Sequence, residues 1–186
     1  MPAQSPKTAL VSNQIWMDLA LVAFLIVLDV VARVLPHAPG FLPVAASGFF
    51  AARVLRVPAF AVVVPVVAMV LSDTMLPGED WRIQAVGFAA IAIPALGGIL
   101  TRRWPGVLPA IATVVSCSFL FFLLSNGAVW LFSGMYPLTL SGLTQCYVAA
   151  LPFLEKTVLG DLFWTAVLFG GAWLVQHGPA LARRSS

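Results

Sequence analysis

Residues 15–35 read IWMDLALVAFLIVLDVVARVL, an apolar run broken by Asp18, Asp29 and Arg33 alone. About 20 apolar residues carry an α-helix across the hydrocarbon core of a bilayer, with a lower bound near 17. The run therefore reads as a membrane-crossing helix. Lys7 before it and the small Ala38 after it resemble the flanks of a secretory signal. Asp18 and Asp29 interrupt it, however, and it exceeds the roughly 7 to 15 residues of a signal core. It is read as a retained helix.

The rest of the chain repeats the pattern. Four further segments, 58–76, 83–100, 105–125 and 159–176, lie near or above the length bound, and a shorter one, 41–55, is rich in small residues. Ala45, Ala46, Ser47, Gly48, Ala51 and Ala52 let neighbouring backbones approach closely, so this segment reads as a span shielded by other helices. The 186 residues are 61% hydrophobic and 9% charged, with a mean hydropathy of +0.99. That leaves too few charges to cover a water-soluble surface. The net charge of +3 comes from scattered Lys and Arg, with no basic stripe to neutralise a row of phosphates, which excludes a nucleic-acid partner. Cys117 and Cys146 are too far apart for a disulfide framework or a metal knuckle.

The flanking basic residues set an orientation. With six spans and an inside N-terminus, Lys7, Arg53, Arg56, Arg102, Arg103, Arg183 and Arg184 are cytoplasmic, and Arg82 and Lys156 are outside. The expected organisation is a cytoplasmic tail at 1–14, one six-helix membrane domain at 15–178, and a basic cytoplasmic tail at 179–186. The inner joins are short and basic. The outer joins, after spans one, three and five, gather aromatic, amide, hydroxyl and ionisable groups, so a ligand finds specific partners there.

The last outer join is unusual. No charged residue occurs from Asn126 to Leu154, yet Gly127, Gly134, Pro137, Gly142 and Pro152 break the stretch too often for a simple span. Leu140, Leu143, Tyr147, Leu151 and Leu154 recur at helical spacing. This predicts a short amphipathic or re-entrant helix lying over the bundle as a lid. A seventh span is the alternative, and it weakens the charge bias.

Ionisable residues inside spans need a partner or a task. Asp29 and Arg33 stand four apart and can pair on one helix face. Asp73, near the outer end of its span, either ties the outer loops to Arg33 or Arg82 or lines a cavity. Asp161, at the start of the last span, suits a helix N-terminus. His37 offers an imidazole to a metal or cobalt centre, although a lone loop histidine usually has no such role. Trp81, Trp130, Tyr136 and Tyr147 form either an aromatic belt or a stacking pocket. With Asn126 and Gln145 these residues complete the candidate solute-contact set: His37, Asp73, Trp81, Asn126, Trp130, Tyr136, Gln145 and Tyr147. No enzyme motif occurs, neither HExxH nor GxSxG nor a Walker A loop, and no cofactor or resident metal is implied.

Several of these polar positions carry a resemblance. Arg33 through Ala45 (RVLPHAPGFLPVA), Leu71-Ser72-Asp73, Phe122 through Asn126, Tyr136-Pro137, Gly142-Leu143, Cys146-Tyr147, Pro152-Phe153 and Gly160-Asp161-Leu162 resemble an uncharacterised bacterial family, catalogued as a domain of unknown function and labelled as transport proteins. That family is similar to the substrate-binding S components of energy-coupling factor (ECF) vitamin transporters. The resemblance implies an all-α, S-component-like bundle of six helices in the bacterial inner membrane, with both termini cytoplasmic. It also implies capture of a small organic solute such as a vitamin, cobalamin included, by the three outer joins.

Two positions depart from the family, which usually has Asn at Gly40 and Lys at Leu138. S components also carry Ala-x-x-x-Ala on helix one, whereas Ala20 and Ala23 here are three apart. The implied partners are the solute, the lipid bilayer and either an energising module of ATPase and coupling subunit or none. The rival expectation is a membrane scaffold without a solute, motivated by the small-residue face of 41–55.

Overall fold

The structure, a computed structural model, describes residues 6–36, 39–76, 78 and 80–182. Helix α1 (Pro6–Val34) starts on a proline, whose missing N–H costs nothing in a first turn. Helices α2 (Val44–Val54) and α3 (Phe60–Asp73) follow, then α4 (Trp81–Ile91) and α5 (Ile93–Leu100). These last two form one rod, Trp81–Leu100, notched at Ala92. Pro94 cannot donate to the Ala90 carbonyl, so the ladder breaks there. Helix α6 (Val107–Phe132) begins after Gly106, whose φ of +118° suits a residue without Cβ. Helix α7 (Leu140–Ala182) closes the described chain, which contains no strand.

Hydrogen bonds define two ends of the bundle. At one end Arg53 Nη1 donates to the Thr101 carbonyl at 2.6 Å, Arg102 Nη2 donates to the Leu55 carbonyl at 2.5 Å, and Arg56 bonds Gln14. The two basic joins are thus stitched to each other and to α1. At the opposite end Arg33, Asp73 and Gln84 tie α1, α3 and α4, while Gly40 and Phe41 lie against Gly160 of α7. The chain runs between these ends six times, counting α4–α5 as one rod.

Four helical stretches are long and apolar enough to cross a membrane: Gln14–Val34, Trp81–Leu100, Val107–Phe132 and Leu140–His177. Helices α2 and α3, at 11 and 14 residues, fall short of that length. Large apolar side chains stand exposed along the long helices, among them Trp16, Phe24, Leu96, Phe119 and Trp173. Hydrocarbon accepts such a surface and water does not.

Helix α2 is the centre of the bundle. Eight of its eleven residues are buried, and Ala46, Phe50, Ala51 and Ala52 join Leu25, Val64, Ala95 and Leu168 in the main core. A Cβ on Gly98 of α5 would stand 2.6 Å from the Ala52 Cβ and 3.0 Å from the Phe49 carbonyl oxygen. The small residues of 41–55 therefore serve the close packing expected of them, and α3 and α5 occupy that face.

Two expectations are corrected here. The separate lid helix between the last two spans does not exist, because residues 140–182 are one helix of 43 residues. At about 1.5 Å per residue it is about 65 Å long, roughly twice the hydrocarbon thickness. Thr139 Oγ1 caps its start by accepting from Gly142 N at 3.2 Å, and Pro152 and the exposed Glu155 and Lys156 are carried within it. Asp161 is consequently not at a helix N-terminus but deep inside α7. The Asp29–Arg33 pair along α1 is also absent. Asp29 is fully buried and accepts from Ser47 Oγ of α2 at 2.5 Å.

Candidate functional site: a cavity with a paired mouth and an acidic floor

A cavity of about 750 Å³ runs from the α1–α2 and α3–α4 joins into the bundle, between α3, α4, α6 and α7. Most of its wall is apolar, contributed by Met69, Ile91, Phe121, Phe122 and Phe153 among others. A few polar groups sit at its two levels.

Asp73 holds the mouth. Arg33 Nη2 donates to its Oδ1 at 2.5 Å and Gln84 Nε2 to its Oδ2 at 2.8 Å, while Arg33 Nε donates to Ser72 Oγ at 2.7 Å. Both carboxylate oxygens are thereby satisfied and its charge is cancelled by a guanidinium, the pairing that a carboxylate in an apolar surround requires. Asn126 of α6 also lines the wall, its Nδ2 donating to the Phe122 carbonyl at 2.8 Å.

The floor is different. Asp161, 4% exposed, accepts from Ser118 Oγ at 2.5 Å through Oδ2, and Cys117 lies alongside. No ion pair reaches Asp161 among the described residues. Gly40 brings the first join down onto α7: its φ is +80°, and a Cβ there would stand 2.8 Å from Thr157 Oγ1. Only a residue at home in left-handed backbone, and small, fits without moving Thr157. Leu138, the other departure from the family pattern, is exposed and does not line the cavity.

Outside the membrane-crossing helices, Asp80 caps α4. Its Oδ1 accepts from the Arg82 amide at 2.8 Å, and the Arg82 guanidinium bonds both oxygens. That guanidinium first, and the amide second, hold its carboxyl down at about 2.

Of the sequence-predicted contacts, Asp73 and Asn126 line the cavity. His37 lies outside the described residues. Trp81 is 73% exposed at the start of α4. Trp130 Nε1 donates to the Pro137 carbonyl at 3.1 Å and so braces the turn into α7, in which Tyr136 lies half-buried. Gln145 is exposed on α7, and the Tyr147 hydroxyl donates to the Leu123 carbonyl at 2.6 Å, locking α7 to α6. These five are not in the cavity wall. The sequence reading missed Arg33, Gln84, Ser118, Thr157 and Asp161 as lining residues. The legible signal was Asp161 itself, an ionisable residue within an apolar run.

These features define an all-helical bundle of membrane-crossing character that encloses a cavity with polar groups at mouth and floor. The chain belongs to a family of unknown function, DUF6580, which matches residues 13–181. No curated protein and no solved structure matches the chain.

Proposed function

We propose that this protein takes up a small organic solute across the bacterial inner membrane in the manner of an S component. In this reading all six rods span, with α2 and α3 as short spans sheltered by the others, both termini are cytoplasmic, and the cavity mouth faces out. The observation that carries it is the cavity. Its volume lies within the roughly 300 to 1,000 Å³ of small-molecule sites, and a mostly apolar wall with few placed polar groups is what such sites use. The basic joins at the opposite end support the orientation, since cytoplasmic joins are the basic ones.

The volume suits a drug-sized solute better than a corrinoid such as cobalamin. The scaffold reading loses the surface that motivated it, because α3 and α5 already cover the small-residue face of α2.

Proteoliposomes carrying the full chain, offered a panel of labelled vitamins, test the proposal. Accumulation or saturable binding of one compound is expected, and Gly87→Leu abolishes it. Gly87 lines the cavity and a Cβ there meets nothing within 4 Å, so the larger side chain enters the space without unfolding the bundle. No uptake and no binding across the panel overturns the reading. Repeating the assay with an ATPase and coupling subunit distinguishes the solitary from the energised form.

A further inference from the structure

The acidic and basic side chains lining the cavity are not all paired. Arg33, Asp73 and Asp161 are the only charged side chains in its wall among the described residues. Arg33 and Asp73 neutralise each other across 2.5 Å at the mouth. Asp161 remains, and no cation faces it. Helix α6 presents Ser118 and Cys117, α2 presents Ala45, Ala46 and Phe49, and α5 presents Pro94. Lys156, the nearest basic residue along α7, is exposed and outside the wall.

Asp161 is also directed at the space. Its Oδ2 is held by Ser118 Oγ, whereas Oδ1 has no hydrogen-bond donor among the described residues and is not sealed off from the cavity. Asp29 is the contrast. It has the same short bond to a serine, but its Oδ1 is buried in protein and does not line this cavity. A carboxyl with one hydroxyl donor in an apolar surround takes its positive partner either from a proton or from a cation that enters the cavity. Phe121, Phe122 and Phe153 share the wall, and aromatic faces attract cations as well.

We infer that the solute bears a positively charged nitrogen, seated at the cavity floor against Asp161 and flanked by the phenylalanine rings. This rests on the solute-uptake reading and names the chemical class of the solute. Asp161 is the specificity-determining counter-ion, Ser118 positions its carboxylate, and the self-neutralised mouth admits the solute without claiming its charge.

The test is equilibrium binding to the purified full chain in lipid nanodiscs, using a panel of small organic ammonium compounds, each with its neutral alcohol and anionic carboxylate counterpart. Bound compounds are expected to come from the ammonium set. Asp161→Asn, which keeps the shape and a partner for Ser118, lowers their affinity by at least about tenfold, the loss of one charge-assisted contact. Phe121→Leu weakens ammonium binding and leaves neutral counterparts unchanged. Its readout stands if Asp161→Asn fails to fold. The inference is overturned if neutral or anionic members bind as well as the ammonium compounds, or if a folded Asp161→Asn retains ammonium affinity. Failure of every member to bind, in all three charge classes, overturns the uptake reading itself.

Discussion

Arg33 on α1 and Asp73 on α3, forty positions apart, meet through a 2.5 Å contact while Gln84 of α4 holds the second oxygen of Asp73. One carboxylate thus fixes three helices around the cavity mouth. Both side chains are less than one-fifth exposed. Asp73→Asn, which leaves the Arg33 guanidinium without its counter-charge, is expected to cost about 3 kcal/mol, and the Arg33→Gln, Asp73→Asn double variant less than the two single changes together. Unfolding in detergent across this double-mutant cycle measures the coupling. A coupling near zero contradicts the tie.

The continuity of α7 gives a second expectation. Lys156 is exposed in mid-helix, so its side chain contributes little. Lys156→Pro removes a ladder bond and clashes with the preceding turn, costing about 3 kcal/mol, whereas Lys156→Ala stays within about 0.5 kcal/mol. If residues 155–158 were a hinge between two helices, the proline would be harmless. Thermal unfolding of the two variants decides the matter.

Close packing of α5 on α2 makes a third. Gly98→Ala places a methyl 2.6 Å from the Ala52 Cβ and is expected to destabilise by about 1 to 3 kcal/mol. Gly170→Ala on α7 meets nothing within 4 Å, and is neutral or slightly stabilising. Equal effects of the two changes would refute the packing described for α2.

The α4 cap is testable by pH. The carboxyl of Asp80 lies at about 2 in the folded chain against an ordinary 3.8, so its contribution is complete above that ordinary value and is lost as pH falls towards 2. Titration of the carboxyl carbon shift should show a midpoint near 2, returning towards 3.8 in Arg82→Gln. A wild-type midpoint near 3.8 would show that the cap does not form.

Much of this architecture is readable from composition and spacing, and the failures have physical causes. Apolar run length placed α1 to α6 and the second half of α7, and the chemical contrast between basic and mixed joins separated the two ends, because both signals are local. The lid helix was misplaced because Gly142 and Pro152 read as breakers, whereas a cap at Thr139 and packing against α6 carry one helix through both. That error shifted the candidate site. Trp130 and Tyr147 turned out to brace the α6–α7 hairpin, and Asp161, expected at a helix start, became the cavity floor. Asp73 was legible because an ionisable residue near a span end needs a partner. Gln84 and Ser118 carry no such mark, and only helix packing brings them to the cavity.

Cysteine protection measures most directly whether the cavity opens outward and holds a solute, as proposed. In a Cys117→Ala, Cys146→Ala background, Asn126→Cys puts one thiol on the cavity wall. A membrane-impermeant maleimide added to intact cells should label it, and saturating solute should slow that labelling at least about tenfold, as expected for a site occupied most of the time. Labelling confined to the cytoplasmic side, or labelling indifferent to every compound the protein binds, would contradict the account.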